Sequence, residues 1–154
     1  MKKMPDKPED TGSINGWKSS IRKVYLYTIY FMVVYALWIG LKMAEMLSSG
    51  EEIPSFLKVA HVHSLCISFL LLFLLYDLRI KNRVEKLNIR WGLGEITVGM
   101  GLLGHLLTTA GFSLAGLNPS MTGSVMPFVG IGESLILYSV LSYAIVGALT
   151  EMYE

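Results

Sequence analysis

The sequence predicts an all-α fold, an integral membrane four-helix bundle with both termini in the cytoplasm, and three observations lead there. Four apolar stretches, at about 24–47, 56–78, 91–112 and 125–149, each reach the roughly 20 residues needed to cross a hydrocarbon core of ~30 Å. The chain is 53% hydrophobic and only 16% charged, whereas a soluble domain carries about a quarter charged residues. The charges also gather at the ends and in one central loop.

The basic residues set the orientation. Six lie in the N-terminal segment (Lys2, Lys3, Lys7, Lys18, Arg22, Lys23) and five between the second and third spans (Arg79, Lys81, Arg83, Lys86, Arg90). The other two connections hold Lys58 at most. The positive-inside rule then places both termini and the basic loop in the cytoplasm; a multi-pass protein of a prokaryotic cell membrane is the expectation. A net charge of +1 gives no ground for nucleic acid as a partner.

Residues 1–22 read as a polar cytoplasmic tail, with Pro5, Pro8, Gly12 and Gly16 among alternating charges, and 23–150 as the bundle. The first apolar run starts late and reaches full spanning length, which argues against a cleaved signal peptide. Trp17 with Lys18, Arg22 and Lys23 suits an interfacial anchor. Span 1 is rich in aromatics, and Lys42 and Glu45 in its last turns are expected to be solvated. Gly50 is a helix stop and Pro54 lies near the next start. Glu95, early in span 3, is expected to pair with Arg90 or to reach the inner surface. Ser113 to Ser124, with Gly116, Pro119 and Gly123, reads as an uncharged loop. The lone Cys66 lies inside a span and has no intrachain partner.

Ionisable groups inside a span are costly and mark functional sites. Span 2 carries His61 and His63, span 3 carries His105 and span 4 carries Glu133. At 1.5 Å per residue, His61, His105 and Glu133 fall roughly 8–12 Å below the outer edge, in the outer third of the membrane. His61 and His63 are ~200° apart around an ideal helix, so both cannot face one centre. The face of His61 continues through Ser64, Leu65 and Ser68, small and polar, which favours His61 as the inward group with His63 as the fallback. His105 shares a face with Gly94, Val98, Gly101, Thr108 and Phe112, where small residues admit a flat ligand or a second helix. Removal from water favours the neutral imidazole, which can coordinate metal. Glu133, after Gly130 and Gly132, suits a proton-relay group, a metal ligand or a partner that orients a histidine. Each group also has a packing explanation: an imidazole bonded to a carbonyl, a glycine at a helix contact, a neutral acid bonded across helices.

The string HVHSLCIS in span 2 resembles the H-x-H-x-x-x-x-G element of multi-helix membrane haem proteins of the haem-copper-oxidase-like and NnrS-like type, and the four-span plan looks like that of small bacterial and archaeal membrane families. Ser68 stands where the pattern has glycine, and Glu133 where such proteins can carry histidine. The resemblance implies haem or metal binding, used for electron transfer or sensing.

Three functions follow as expectations. The first is a b-type haem protein or subunit, working with quinol in a respiratory-type complex. His61 and His105 would be its axial ligands, His63 the substitute, Gly101 would make room for the ring, and Ser64, Thr108 and Glu133 would hold the second imidazole nitrogens. Trp and Tyr of span 1 would supply further contacts. The second is a non-catalytic accessory subunit that packs against other membrane subunits or a second copy, with no cofactor. The third is a copper- or zinc-binding or transport protein using His61 or His63, His105 and Glu133. The sequence holds no nucleophile and base at a workable spacing for a stand-alone hydrolase.

Overall fold

A backbone flanked by continuous apolar side chains satisfies its own polar groups best as helix, and that is what the four stretches form. The computed structural model describes residues 11–81 and 93–152. Among them are α1 (Thr11–Ser48), α2 (Ser55–Lys81), α3 (Leu93–Leu117) and α4 (Thr122–Met152). All four are long and apolar enough to cross a membrane.

The helices begin and end somewhat differently from the expectation. Residues 11–22, read as tail, are the first turns of α1, while 1–10 lie outside the described residues. So do 82–92, which include Arg83, Lys86, Arg90 and the expected start of span 3 at Trp91. Gly50 does stop the first helix, with φ of 78° and the Glu51 amide bonded back to the Met46 carbonyl at 2.9 Å.

The expected loop at 113–124 is mostly helix. α3 continues to Leu117, and only Asn118 and one 3-10 turn, Pro119–Met121, separate it from α4. Two would-be breakers are used inside the helix. Ser113 donates to the Thr109 carbonyl at 2.7 Å, and Gly116 lies so close to Leu57 that a Cβ would stand 2.9 Å from its amide nitrogen. Chain reversal waits for Pro119, whose turn is capped by the Asn118 side chain.

The helices run alternately up and down, with α3 in the middle. α3 packs on α1, α2 and α4, and α1 packs on α2. At one end, here the turn end, lie the α1–α2 turn and the α3–α4 connection. There Ile39, Leu57 and Ala60 form a buried cluster with Tyr35 and Phe112 packed on it. At the far end Arg22 of α1 bonds Glu95 through Nε at 2.8 Å and Nη2 at 2.5 Å, while Arg90, the expected partner, lies outside the described residues. Glu95 is 2% exposed, and a carboxylate at that depth needs its countercharge. Tyr143 on α4 donates to Asp77 on α2 at 2.8 Å nearby. Between the two ends, Ile29, Leu71, Leu74, Leu75, Val98 and Leu102 make the main apolar core.

The α3–α4 seam depends on glycine. A Cβ at Gly104 would fall 2.5 Å from the Gly132 carbonyl oxygen, and one at Gly132 would fall 2.7 Å from the Gly104 carbonyl oxygen. The two backbones therefore touch, as small residues allow. Gly101 likewise admits a helix neighbour, Ser139 and Leu71, rather than leaving room for a flat ligand.

Candidate functional site

Residues around the circumference of α2 are divided between two neighbours. Ser64 and Ser68 are fully buried, as the small polar stripe suggests, yet the stripe meets α1 at its start and α3 further on. His61 Nδ1 donates to the Ala36 carbonyl of α1 at 2.8 Å. A carbonyl can only accept, so the proton of neutral His61 is on Nδ1. Its ring lies over Gly40, where a Cβ would stand 2.8 Å from Cε1. Ser64 donates to the Met32 carbonyl at 3.3 Å. Neither residue faces His105. The expectation that His61 and His105 converge is therefore corrected: α2 has interior neighbours on two sides, and His61 takes the α1 side.

His63, the fallback, takes the other side. Its ring centroid is 6.4 Å from that of His105 and 6.1 Å from that of Phe112, edge to face. Its Nε2 stands 3.3 Å from Glu133 Oε1 of α4, a distance at which a protonated ring and a carboxylate would attract, but is not aligned as a hydrogen bond. The His63 side chain is 20% exposed and that of Glu133 45%. Three helices thus each bring one titratable group to the same place.

His105 sits behind this pair with no exposure. Ser68 Oγ is 3.0 Å from its Nε2 and Thr109 Oγ1 is 3.2 Å from its Nδ1. Thr108, expected as the ring partner, instead turns toward α4 and lies against Gly132, its buried hydroxyl bonded to no described group. The residue one full turn on, Thr109, reaches Nδ1 because i and i+4 stack along a helix. That spacing was the signal in the sequence for Thr109; Ser68 was visible only as part of the polar stripe.

Helix limits also change the position of the cluster. α3 runs five residues past Phe112, so His105 is about 18 Å from its end at Leu117 at 1.5 Å per residue. Glu133 is about 17 Å from the start of α4 at Thr122 by the same rise. His63 is about 12 Å from the start of α2 at Ser55, so the three groups lie between a third of the way and halfway along their helices.

The residues do not fit the ligation implied for haem. His61 is bonded to α1, both nitrogens of His105 are engaged by hydroxyls, and the Ser68–His105 bond fills the space between α2 and α3 that a macrocycle would need. Of the Trp and Tyr side chains of α1, Tyr27, Tyr30 and Trp38 are exposed, and Tyr25 and Tyr35 pack on the two apolar clusters. Among the described residues, no three His, Cys, Asp or Glu side chains gather so as to hold a metal ion. The copper or zinc set of His61 or His63, His105 and Glu133 is accordingly not assembled as expected.

What the arrangement can do is hold and move protons. A hydroxyl can donate or accept, so Ser68 and Thr109 satisfy either neutral tautomer of His105 by rotating, and both accept when the ring is an imidazolium. Comparison with models of known families, with characterised proteins and with solved structures gives no match.

Proposed function

We propose that this chain is a multi-pass membrane protein that takes up and releases a proton at the His63–Glu133 pair, with His105 as the buried group behind it. On this reading the positive-inside rule puts the far end and both termini in the cytoplasm and the turn end outside. The observation that carries it is the meeting of three titratable side chains from three of the four apolar helices, well inside each helix, where such groups are costly. The hydroxyl shell around His105 supports it, because that shell accommodates every protonation state of the ring without backbone movement.

The experiment is infrared difference spectroscopy on the protein in lipid after a pH jump. A carboxyl band that vanishes in Glu133→Gln, with imidazole bands lost in His63→Gln, is the expected result. A pH jump that leaves both regions unchanged would refute the reading.

A second reading, an accessory subunit within a larger assembly, has one observation in its favour. Glu133 is 45% exposed on a face of α4 that would meet lipid, and a partner helix would cover it. Dissociation of a native assembly on Glu133→Gln would favour that role. The two readings are compatible, since a proton-binding subunit can also be a packed one.

A further inference from the structure

We infer that a second copy of this chain covers the outer face of α4, the two α4 helices forming a parallel, two-fold pair in the membrane. The inference rests on the reading of the four helices as membrane spans. It names the partner that the accessory reading leaves open, and it does not require the cluster to titrate.

α4 buries one side against α3, through Val129, Gly132, Ile136 and Ser139. Its opposite side repeats at alternating intervals of four and three residues, through Gly123, Pro127, Gly130, Ser134, Leu137 and Leu141, all of them exposed. Ala144 and Ala148 extend the same series and are exposed as well. This is the a/d pattern of a heptad, and a strict seven-residue repeat winds two helices around each other left-handedly. From Gly123 to Ala148 it covers about 37 Å at 1.5 Å per residue, enough to cross the whole hydrocarbon core.

Most members of the series are small, and in lipid small residues let two helix backbones approach closely enough for packing to hold them. Nothing lies within 4 Å of a Cβ at Gly130, and a shallow apolar depression opens beside it between Met100, Pro127, Ile131 and Ser134. The exposed faces of the other spans are bulky, with Tyr27, Phe31 and Leu41 on α1 and Val62, Phe69 and Phe73 on α2. Close approach needs small residues on both sides. The α4 of a second copy supplies them at the same depth, which a two-fold axis along the membrane normal guarantees.

Copies inserted in the same orientation can only pair their α4 helices in parallel. Glu133 then holds the g position of the heptad, just before Ser134 at a, and Tyr138 holds the e position. In a parallel pair the g residue of one helix faces the e residue five places on in the other, the contact that sets partner choice in coiled coils. The exposed Glu133 carboxyl of each copy therefore meets the exposed Tyr138 hydroxyl of the other. Oε1 of Glu133 stands against His63, and the carboxyl has a second oxygen to accept the hydroxyl proton. Pairing thus provides a hydrogen bond, twice over, for a polar group that lipid would leave unsatisfied.

The test uses the full-length chain in lipid vesicles, with Cys66→Ser removing the exposed native thiol and one new cysteine introduced at a time. After oxidation with copper phenanthroline, disulfide dimers are expected for Ser134→Cys, Leu137→Cys and Leu141→Cys. Background levels are expected for Phe128→Cys, exposed on α4 but off the heptad series. Cross-links that are absent throughout, or equally strong at Phe128→Cys, would overturn the inference. Energy transfer between labelled copies, followed as the protein is diluted in lipid, reads the affinity. Gly130→Leu, which the single chain has room for, should weaken pairing about tenfold or more, and Ser134→Leu repeats the test if that variant does not fold. Tyr138→Phe should weaken it about threefold, the average worth of an interhelical hydrogen bond in lipid. Pairing as tight in a folded Gly130→Leu protein as in wild type would overturn the α4 seam, and unchanged affinity in Tyr138→Phe would overturn the Glu133–Tyr138 contact. A chain that stays monomeric in vesicles yet cross-links through α4 to a different protein in native membranes would overturn the inference and leave the accessory reading standing.

Discussion

His61 donates its Nδ1 proton to the carbonyl of Ala36 across 2.8 Å, and this bond attaches the start of α2 to the middle of α1. The ring also fills the space above Gly40. Gly40→Ala should therefore destabilise the protein by about 1–3 kcal/mol through overpacking. His61→Ala loses the hydrogen bond, worth about 1 kcal/mol net, but makes room for the new methyl group. The double variant should be more stable than the sum of the two losses allows. Thermal denaturation in one detergent, run on all four proteins as a double-mutant cycle, checks it. Strict additivity would mean that the ring and Gly40 are not in contact.

The glycines of the α3–α4 seam give a second prediction. Gly104→Ala or Gly132→Ala forces one backbone away from the other, because the neighbour of each new Cβ is a carbonyl oxygen. A loss of about 1–3 kcal/mol is expected for each. Gly130, two residues away on the same helix, has nothing within 4 Å of its Cβ position. Gly130→Ala should be neutral or slightly stabilising, since alanine is the better helix former. Melting temperatures that fall equally for all three would contradict the seam.

Arg22 and Glu95 are expected to depend on each other. Glu95→Ala leaves Arg22, 22% exposed, facing a closed interface. The loss should be about 1–3 kcal/mol, between the values for surface and buried pairs. The exchanged pair Arg22→Glu with Glu95→Arg should recover part of it. Denaturation of the two single variants and the exchanged protein decides this, and an exchanged pair no better than the worse single variant would argue against a direct contact.

Haem supplies a fourth. Haemin added to the purified protein should give no six-coordinate, low-spin bis-histidine spectrum that depends on both His61 and His105. Their rings are engaged on different sides of α2. A low-spin spectrum lost in both His61→Ala and His105→Ala would show that α2 rearranges to bind the group.

The four helices were legible in the sequence because a run of more than 20 apolar residues leaves the chain few alternatives. Gly50 was legible as a stop because it precedes polar residues; Gly116 was misleading because inside a close helix contact a glycine serves packing instead. Glu95 illustrates a different limit. Its partner is 73 residues away at Arg22, and no local spacing reveals a pair made by tertiary approach. The choice between His61 and His63 failed for a related reason. Helix periodicity shows that the two diverge by ~200°, but which direction leads to α3 depends on where α1 packs. Polarity of the stripe identified an interior face correctly and could not say whose interior it was.

The most direct test of the His63–Glu133 cluster is nitrogen-15 NMR of histidine-labelled protein in lipid at one fixed pH, with the three histidines assigned by single substitution. The His63 ring signals should move in Glu133→Gln and again in His105→Gln, because both groups stand against that ring, while the His61 ring signals, set by the Ala36 carbonyl, stay in place in both variants. His63 signals unchanged by both substitutions, or His61 signals that move with Glu133 instead, would contradict the cluster.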